Sequence, residues 1–190
     1  PGDWKYEDWN GDGEINGQDE HPFAFDQTPW LQFSLNAGLQ WKNLDFNMLL
    51  QGSALGSMEY KEPLHEIWGK NGGGALTQFL DRWHPVDPKA DPYDPSTVWT
   101  SGHYTGRWAK NNSAFNRVST AYLRLKSIEL GYTFPKLKQI PNASLRIYAN
   151  AYNLLTFTGV KFVDPEHPDD DLGRMYPLNK TYTLGVSLSF

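Results

Sequence analysis

An all-β, antiparallel fold is predicted by three features of this 190-residue sequence. Five segments alternate apolar and polar residues with a period of two, as strands with two different faces require. All thirteen prolines fall outside the interiors of those segments, where a sheet has no use for a residue lacking an amide donor. Long and short connections alternate along the chain, as in up-and-down barrels with tight turns at one rim and long loops at the other.

The last segment, residues 180–190, is the most regular. Tyr182, Leu184, Val186, Leu188 and Phe190 share one face, and Thr181, Thr183, Gly185, Ser187 and Ser189 share the other. An apolar face, a small polar face and a terminal Phe also describe the last strand of an outer-membrane barrel, with lipid outside and a polar lumen within. Residues 31–52 form a hairpin. Phe33, Leu35, Ala37, Leu39 and Trp41 continue in phase through a two-residue turn at Lys42-Asn43 into Leu44, Phe46, Met48 and Leu50. Such a turn pairs Trp41 with Leu44, both on the apolar face, so turn length and pattern agree.

Residues 120–156 hold two more strands. In the first, Leu123 and Leu125 are in phase, whereas Ile128, Leu130 and Tyr132 take the opposite phase, which predicts a bulge near Lys126-Ser127 or a strand whose two halves meet different surroundings. In the second, Leu145, Ile147, Ala149 and Ala151 oppose Arg146, Tyr148, Asn150 and Tyr152. Residues 1–30, 53–119 and 157–179 are loops. The longest, rich in Gly and Pro, predicts one short helix near Ala75–Trp83, stopped by Pro85.

Composition narrows the function classes. Mean hydropathy is −0.61 and no run nears the ~20 apolar residues of a membrane helix, which leaves barrels open because their strands spend only alternate residues on lipid. Cysteine is absent, so there are no disulfides and no thiol chemistry; a net charge of −5 argues against nucleic acid as a partner. No catalytic constellation stands out, and the sequence predicts no enzyme. The five histidines, 21, 65, 84, 103 and 167, have no ligand spacing. The run Asp169-Asp170-Asp171 reads as a solvated loop tip.

One stretch has metal-ligand spacing. Asp8, Asn10 and Asp12 stand at positions 1, 3 and 5 of a calcium loop, Gly13 at the sharp turn, Glu14 at the carbonyl position, Ile15 at the apolar anchor and Asp19 at position 12. Alternating oxygen donors suit a hard cation, and the expectation is a structural calcium bracing an exposed loop. The competing reading is a turn-rich loop with no ion. In loop 53–119, Tyr60, Trp68, Trp83, Tyr93, Trp99, Tyr104 and Trp108 are candidate surfaces for sugar rings or a partner, with Trp68, Trp83, Trp99 and Trp108 foremost; the alternative is that they form the loop's own small core.

Five strands cannot close a transmembrane barrel, which in single-chain bacterial proteins needs an even number from about eight upward. The start at Pro1-Gly2-Asp3, with no initiator Met or leader, fits a piece of something longer. The chain resembles SusC/RagA-type TonB-dependent outer-membrane transporters at their carboxyl-terminal end. The resemblance rests on Pro1-Gly2-Asp3 with Asp8–Ile15, on Ala121-Tyr-Leu-Arg-Leu-Lys-Ser-Ile-Glu-Leu-Gly-Tyr132, on Arg146-Ile-Tyr-Ala-Asn-Ala-Tyr-Asn-Leu-Leu-Thr-Phe157, and on Asp164-Pro-Glu166, Tyr176-Pro177 and Thr181–Phe190.

That resemblance implies a plugged barrel of about 22 strands, of which this chain supplies the last five. It implies import of oligosaccharides or peptides, energised through the TonB complex by way of an amino-terminal part not in this chain, with a SusD-like lipoprotein as lid. It places the chain in the Gram-negative outer membrane, with residues 1–30, 53–119 and 157–179 extracellular and the carboxyl terminus periplasmic. The contrasting expectation is a secreted soluble carbohydrate-binding module, a calcium-stabilised β-sandwich, which would bury its apolar faces under a second sheet.

Overall fold

In the computed structural model the residues described are 5–61, 64, 76–100, 113–135, 143–167 and 175–190. The chain divides into two compact units: one spans Phe25–Met58, Val118–His167 and Arg174–Phe190, the other Pro1–Ala24, Glu59–Arg117 and Pro168–Gly173.

The first unit is a five-stranded antiparallel sheet. Its strands are β1 (Leu31–Trp41), β2 (Leu44–Ala54), β5 (Tyr122–Phe134), β6 (Ser144–Thr158) and β7 (Thr181–Ser189), side by side in that order. Two three-residue strands, β3 (Ser57–Glu59) and β4 (Arg117–Ser119), pair where the chain leaves the large sheet and returns; the sequence pattern gave no sign of them, since three residues carry too little alternation. The hairpin register is as expected, with Trp41 opposite Leu44 and Lys42 alone taking up the left-handed turn conformation at φ 56°. The bulge is also present: β5 shifts register against β6 between Leu125 and Ser127, and against β2 at Leu49/Leu50.

Register fixes what each face presents. Trp41, Leu44, Tyr132, Ile147 and Val186 form one row across all five strands, and Leu39, Phe46, Leu130, Ala149 and Leu184 the next. The opposite face carries Gly38, Asn47, Glu129, Asn150 and Thr183 in one row and Gln40, Asp45, Gly131, Tyr148 and Gly185 in another. The apolar face is open: Leu184 is 77% exposed, Leu39 67% and Phe157 64%. A sandwich would cover these residues with a second sheet, and among the described residues the only other sheet is the β3–β4 pair. So large an exposed apolar surface is foreign to a soluble monomer. Among the described residues the sheet is also open at both edges, β1 and β7, and does not close on itself.

In the second unit the helix expected near Ala75–Trp83 is a 3-10 turn, Thr77–Asp81. No side chain caps its start at Leu76, and the Arg82 amide already donates back to the Phe79 carbonyl, so the turn ends after five residues. Pro85 does not stop a helix. It pairs with Trp99 in an antiparallel bridge, supported by hydrogen bonds from the Val86 amide to the Val98 carbonyl (2.9 Å) and from the Thr100 amide to the His84 carbonyl (2.9 Å).

Candidate functional site

The calcium-type loop folds around its own backbone. Asp8 Oδ1 accepts from the amides of Gly11 (2.7 Å) and Asp12 (3.2 Å), and Asp8 Oδ2 from Gly13 (2.8 Å). Asn10 Oδ1 accepts from the Asp12 amide and Asp12 Oδ1 from the Glu14 amide, at 2.9 and 2.8 Å. Gly11 and Gly13 supply the left-handed conformations of this tight path, at φ 75° and 87°.

Asp19 ties the two ends together. Its Oδ1 accepts from the Trp9 amide (2.9 Å), and its Oδ2 from the Asn16 amide (2.8 Å) as part of a reciprocal cap on the 3-10 turn Gly17–Asp19. These amides, that of Asn16 foremost, hold the Asp19 carboxyl below the ordinary carboxylate range. Beside them the Trp9 ring stacks on His21 at 3.7 Å. Among the described residues no three His, Cys, Asp or Glu side chains converge as a ligand set. The geometry thus brings Asp8, Asn10, Asp12 and Asp19 into one hydrogen-bonded loop, with the acidic oxygens directed at backbone amides.

Of the four foremost tryptophans, Trp68 and Trp108 lie outside the described residues, as do His65, His103, Tyr104 and Asp169–Asp171. Trp83 and Trp99 come together, their rings stacked at 3.7 Å and only 8° from parallel. Both are half-buried, so each gives one face to the other across the Pro85–Trp99 bridge. Tyr93, 91% exposed, stands at the tip of the same hairpin. There Asp87, Asp91 and Asp94 each accept from the amide two residues on, a succession of side-chain-closed turns.

Sequence reasoning missed the charged groups on the polar face of the sheet. Near the Lys42-Asn43 turn, Arg146 pairs with Asp45 through two nitrogens and with Glu129 at 2.7 Å, and its guanidinium lies 4.8 Å over the Tyr148 ring. Gly131 leaves room for this group, since a β-carbon there would come within 2.6 Å of both Asp45 oxygens and of Arg146.

Near the loop end Arg124 is fully buried. It pairs with Asp164 at 2.5 Å and with Glu166, and donates from Nε to Thr156 Oγ1 at 3.0 Å. The available signal was the phase: Asp45, Glu129, Arg124 and Arg146 all stand at polar-face positions of neighbouring strands, and register alone decides which of them meet.

No family model matches the chain. Over its whole length it is 28% identical to a segment of TonB-dependent receptor P3 of Formosa agariphila, and over 98% of its length 27% identical to a segment of TonB-dependent receptor P26 of the same organism. In each case it spans only 19% of the relative. Among solved structures, the RagAB peptide importer in its open-open state superposes over 93% of this chain with a TM-score of 0.61 at 24% identity, and in its closed-closed state with 0.62 at 22% identity; again 19% of the larger chain is covered. At that identity the structural likeness speaks for the fold, and the sequence likeness to the two receptors for descent. Together they bear out the recognition made from the motifs at the level of TonB-dependent receptors: the chain is similar to a segment of such transporters, and it shares the fold of the matching part of the RagAB importer.

Proposed function

We propose that this chain is the closing part of the barrel of an outer-membrane importer that takes up oligosaccharides or peptides with a SusD-like lipoprotein as lid. One observation carries this reading: a five-stranded sheet with an exposed, wholly apolar face, a charged and polar reverse face, and two unpaired edges. An unpaired edge in lipid costs several kcal/mol per unsatisfied backbone group, so further strands of the same barrel must flank β1 and β7. A total of about 22 strands suits a lumen large enough to hold a plug.

The long connections, including the Trp83–Trp99 hairpin, would then face outward toward lid and substrate, and the Lys42-Asn43 turn and the carboxyl terminus would face the periplasm. Coupling to the TonB complex belongs to parts of the protein beyond this sequence. The work is transport, with no chemistry done on the cargo. A peptide cargo draws support from the importer described by the RagAB structures, and both kinds of cargo remain within the proposal.

The test is fractionation of cells expressing the full-length protein, followed by uptake assays. The protein should sediment with outer membranes, uptake should require TonB, and an affinity tag should bring down a surface lipoprotein. Recovery of the protein in the soluble fraction would sink the reading.

We further propose that the Asp8–Asp19 loop takes up calcium as a structural brace. The hard oxygens of Asp8, Asn10, Asp12 and Asp19 and the carbonyl of Glu14 would supply the ligands, and the loop is already wound by the left-handed Gly11 and Gly13. Binding would require the carboxylates to turn from amides to the ion. Calorimetric titration should show heat with calcium that Asp12→Ala abolishes; no heat in the native protein would leave the hydrogen-bonded loop as the whole story.

A further inference from the structure

We propose that residues 159–167 form a latched strap: Arg124 holds it closed over the loop end of the sheet's polar face, and it opens as a unit when that latch is broken. The inference rests on geometry alone; only its meaning for import rests on the transporter reading.

Arg124 stands on the polar face, in a row with Ser34, Gln51 and Thr156, where an unaided sheet would leave it open to solvent. Instead it is fully buried. The segment after β6 reaches it and sends Asp164 and Glu166 onto two guanidinium nitrogens, while Thr156 takes the third and the guanidinium lies 5.0 Å over the Tyr122 ring. Tyr122 itself is 6% exposed.

Asp164 does two jobs. It binds Arg124, and it shapes the strap by accepting the Glu166 amide on its side chain (3.0 Å) and the His167 amide on its carbonyl (2.9 Å). Val160 and His167, at either end, are buried. Between them Phe162 is held at φ 73°, a left-handed conformation that a bulky residue adopts only when its surroundings impose it. Gly159 has no atom near the place of a β-carbon and can act as the hinge.

The latch is asymmetric. Arg124 is sealed, whereas the Asp164 and Glu166 side chains are 29% and 42% exposed, so they can be drawn off from the solvent side with the strap. A buried cation losing its partners is strongly disfavoured, which makes closure all-or-none rather than graded.

Lys161, exposed within the strap, gives a direct test. The full-length transporter, purified in detergent, is digested briefly with trypsin, and cleavage after Lys161 is compared by mass spectrometry with cleavage after Lys42 in the hairpin turn. Arg124→Ala should speed cleavage at Lys161 about tenfold or more and leave Lys42 unchanged. Glu166→Gln, which keeps the shape and removes one charge, should act in the same direction and serves alone if Arg124→Ala fails to reach the membrane. Equal rates at Lys161 in native and variant proteins, or equal acceleration at Lys161 and Lys42, would overturn the strap. Recovery of the protein in the soluble fraction would fail the transporter reading and leave this result standing.

Discussion

The ring of Tyr148 lies across Gly185, in the space that a β-carbon on Gly185 would fill. The two are directly opposed in the β6–β7 register, and Arg146 stacks on the same ring. Glycine weakens a strand by its entropy, and here it is the condition for a large aromatic to lie flat on the polar face.

Gly185→Ala should therefore loosen β7 by about 1–3 kcal/mol, the usual cost of overpacking. The measurement is the urea midpoint of the refolded full-length barrel, followed by its gel mobility with and without heating. In a Tyr148→Ala background the same change should cost almost nothing. An equal cost in both backgrounds would show that the ring is not the obstacle.

Asn153 sits in the left-handed region at φ 53° beside the β5–β6 register shift and donates from Nδ2 to the Asn179 carbonyl at 3.1 Å, just ahead of β7. Asn153→Ala loses both the tolerance for that conformation and the hydrogen bond, for about 1–2 kcal/mol. Asn153→Gly keeps the conformation and loses only the bond, so its midpoint should fall between the two. If the Gly variant is the weaker, the conformational part of this account fails.

Arg146 neutralises Asp45 and Glu129 on a partly exposed face. Its replacement by Met should cost about 1–2 kcal/mol, less than a sealed pair because water and salt screen the carboxylates left behind. Adding Asp45→Asn to Arg146→Met should recover part of the loss. A double variant weaker than the single one would argue against charge repulsion as the cause.

The Asp19 carboxyl is held low in the folded loop, chiefly by the Asn16 amide. A lowered folded value means that the loop is favoured at every pH above the unfolded carboxylate value, about 3.9, and that this advantage is lost as pH falls toward the folded value. Asp94, held low by the Ser96 amide and hydroxyl, contributes with the same sign in the Pro85–Trp99 hairpin. Protection of the Trp9 and Asn16 amides from exchange, corrected for the intrinsic rate at each pH, should thus fall below about pH 4. Asp19→Asn should remove the pH dependence at both amides, and persistence of the full dependence in that variant would exclude Asp19 as the source.

With one face apolar and both edges unpaired, the 190 residues expressed alone should aggregate or stay unfolded in buffer. Light scattering and circular dichroism after refolding without detergent check this; a monodisperse folded solution would contradict it.

The sequence by itself determined the strands. Leu31–Trp41, the Trp41–Leu44 pairing, the bulge at Lys126 and the last strand were all readable, because a strand's two faces are written residue by residue in a period of two and a two-residue turn leaves no choice of register. The turns of the Asp8–Asp19 loop are local in the same way, with hydrogen bonds that span ten residues or fewer.

Tertiary structure decided what alternation cannot encode. That Arg124 meets Asp164 and Glu166, forty and forty-two residues on, follows from the path of the chain after β6, and that Arg146 meets Asp45, one hundred and one residues back, from strand order. The stacking of Trp83 on Trp99 depends on an isolated bridge too short to leave a pattern, and the same limit hid β3 and β4. Local periodicity fixes which face a side chain takes; only the assembled sheet fixes which neighbour it finds there.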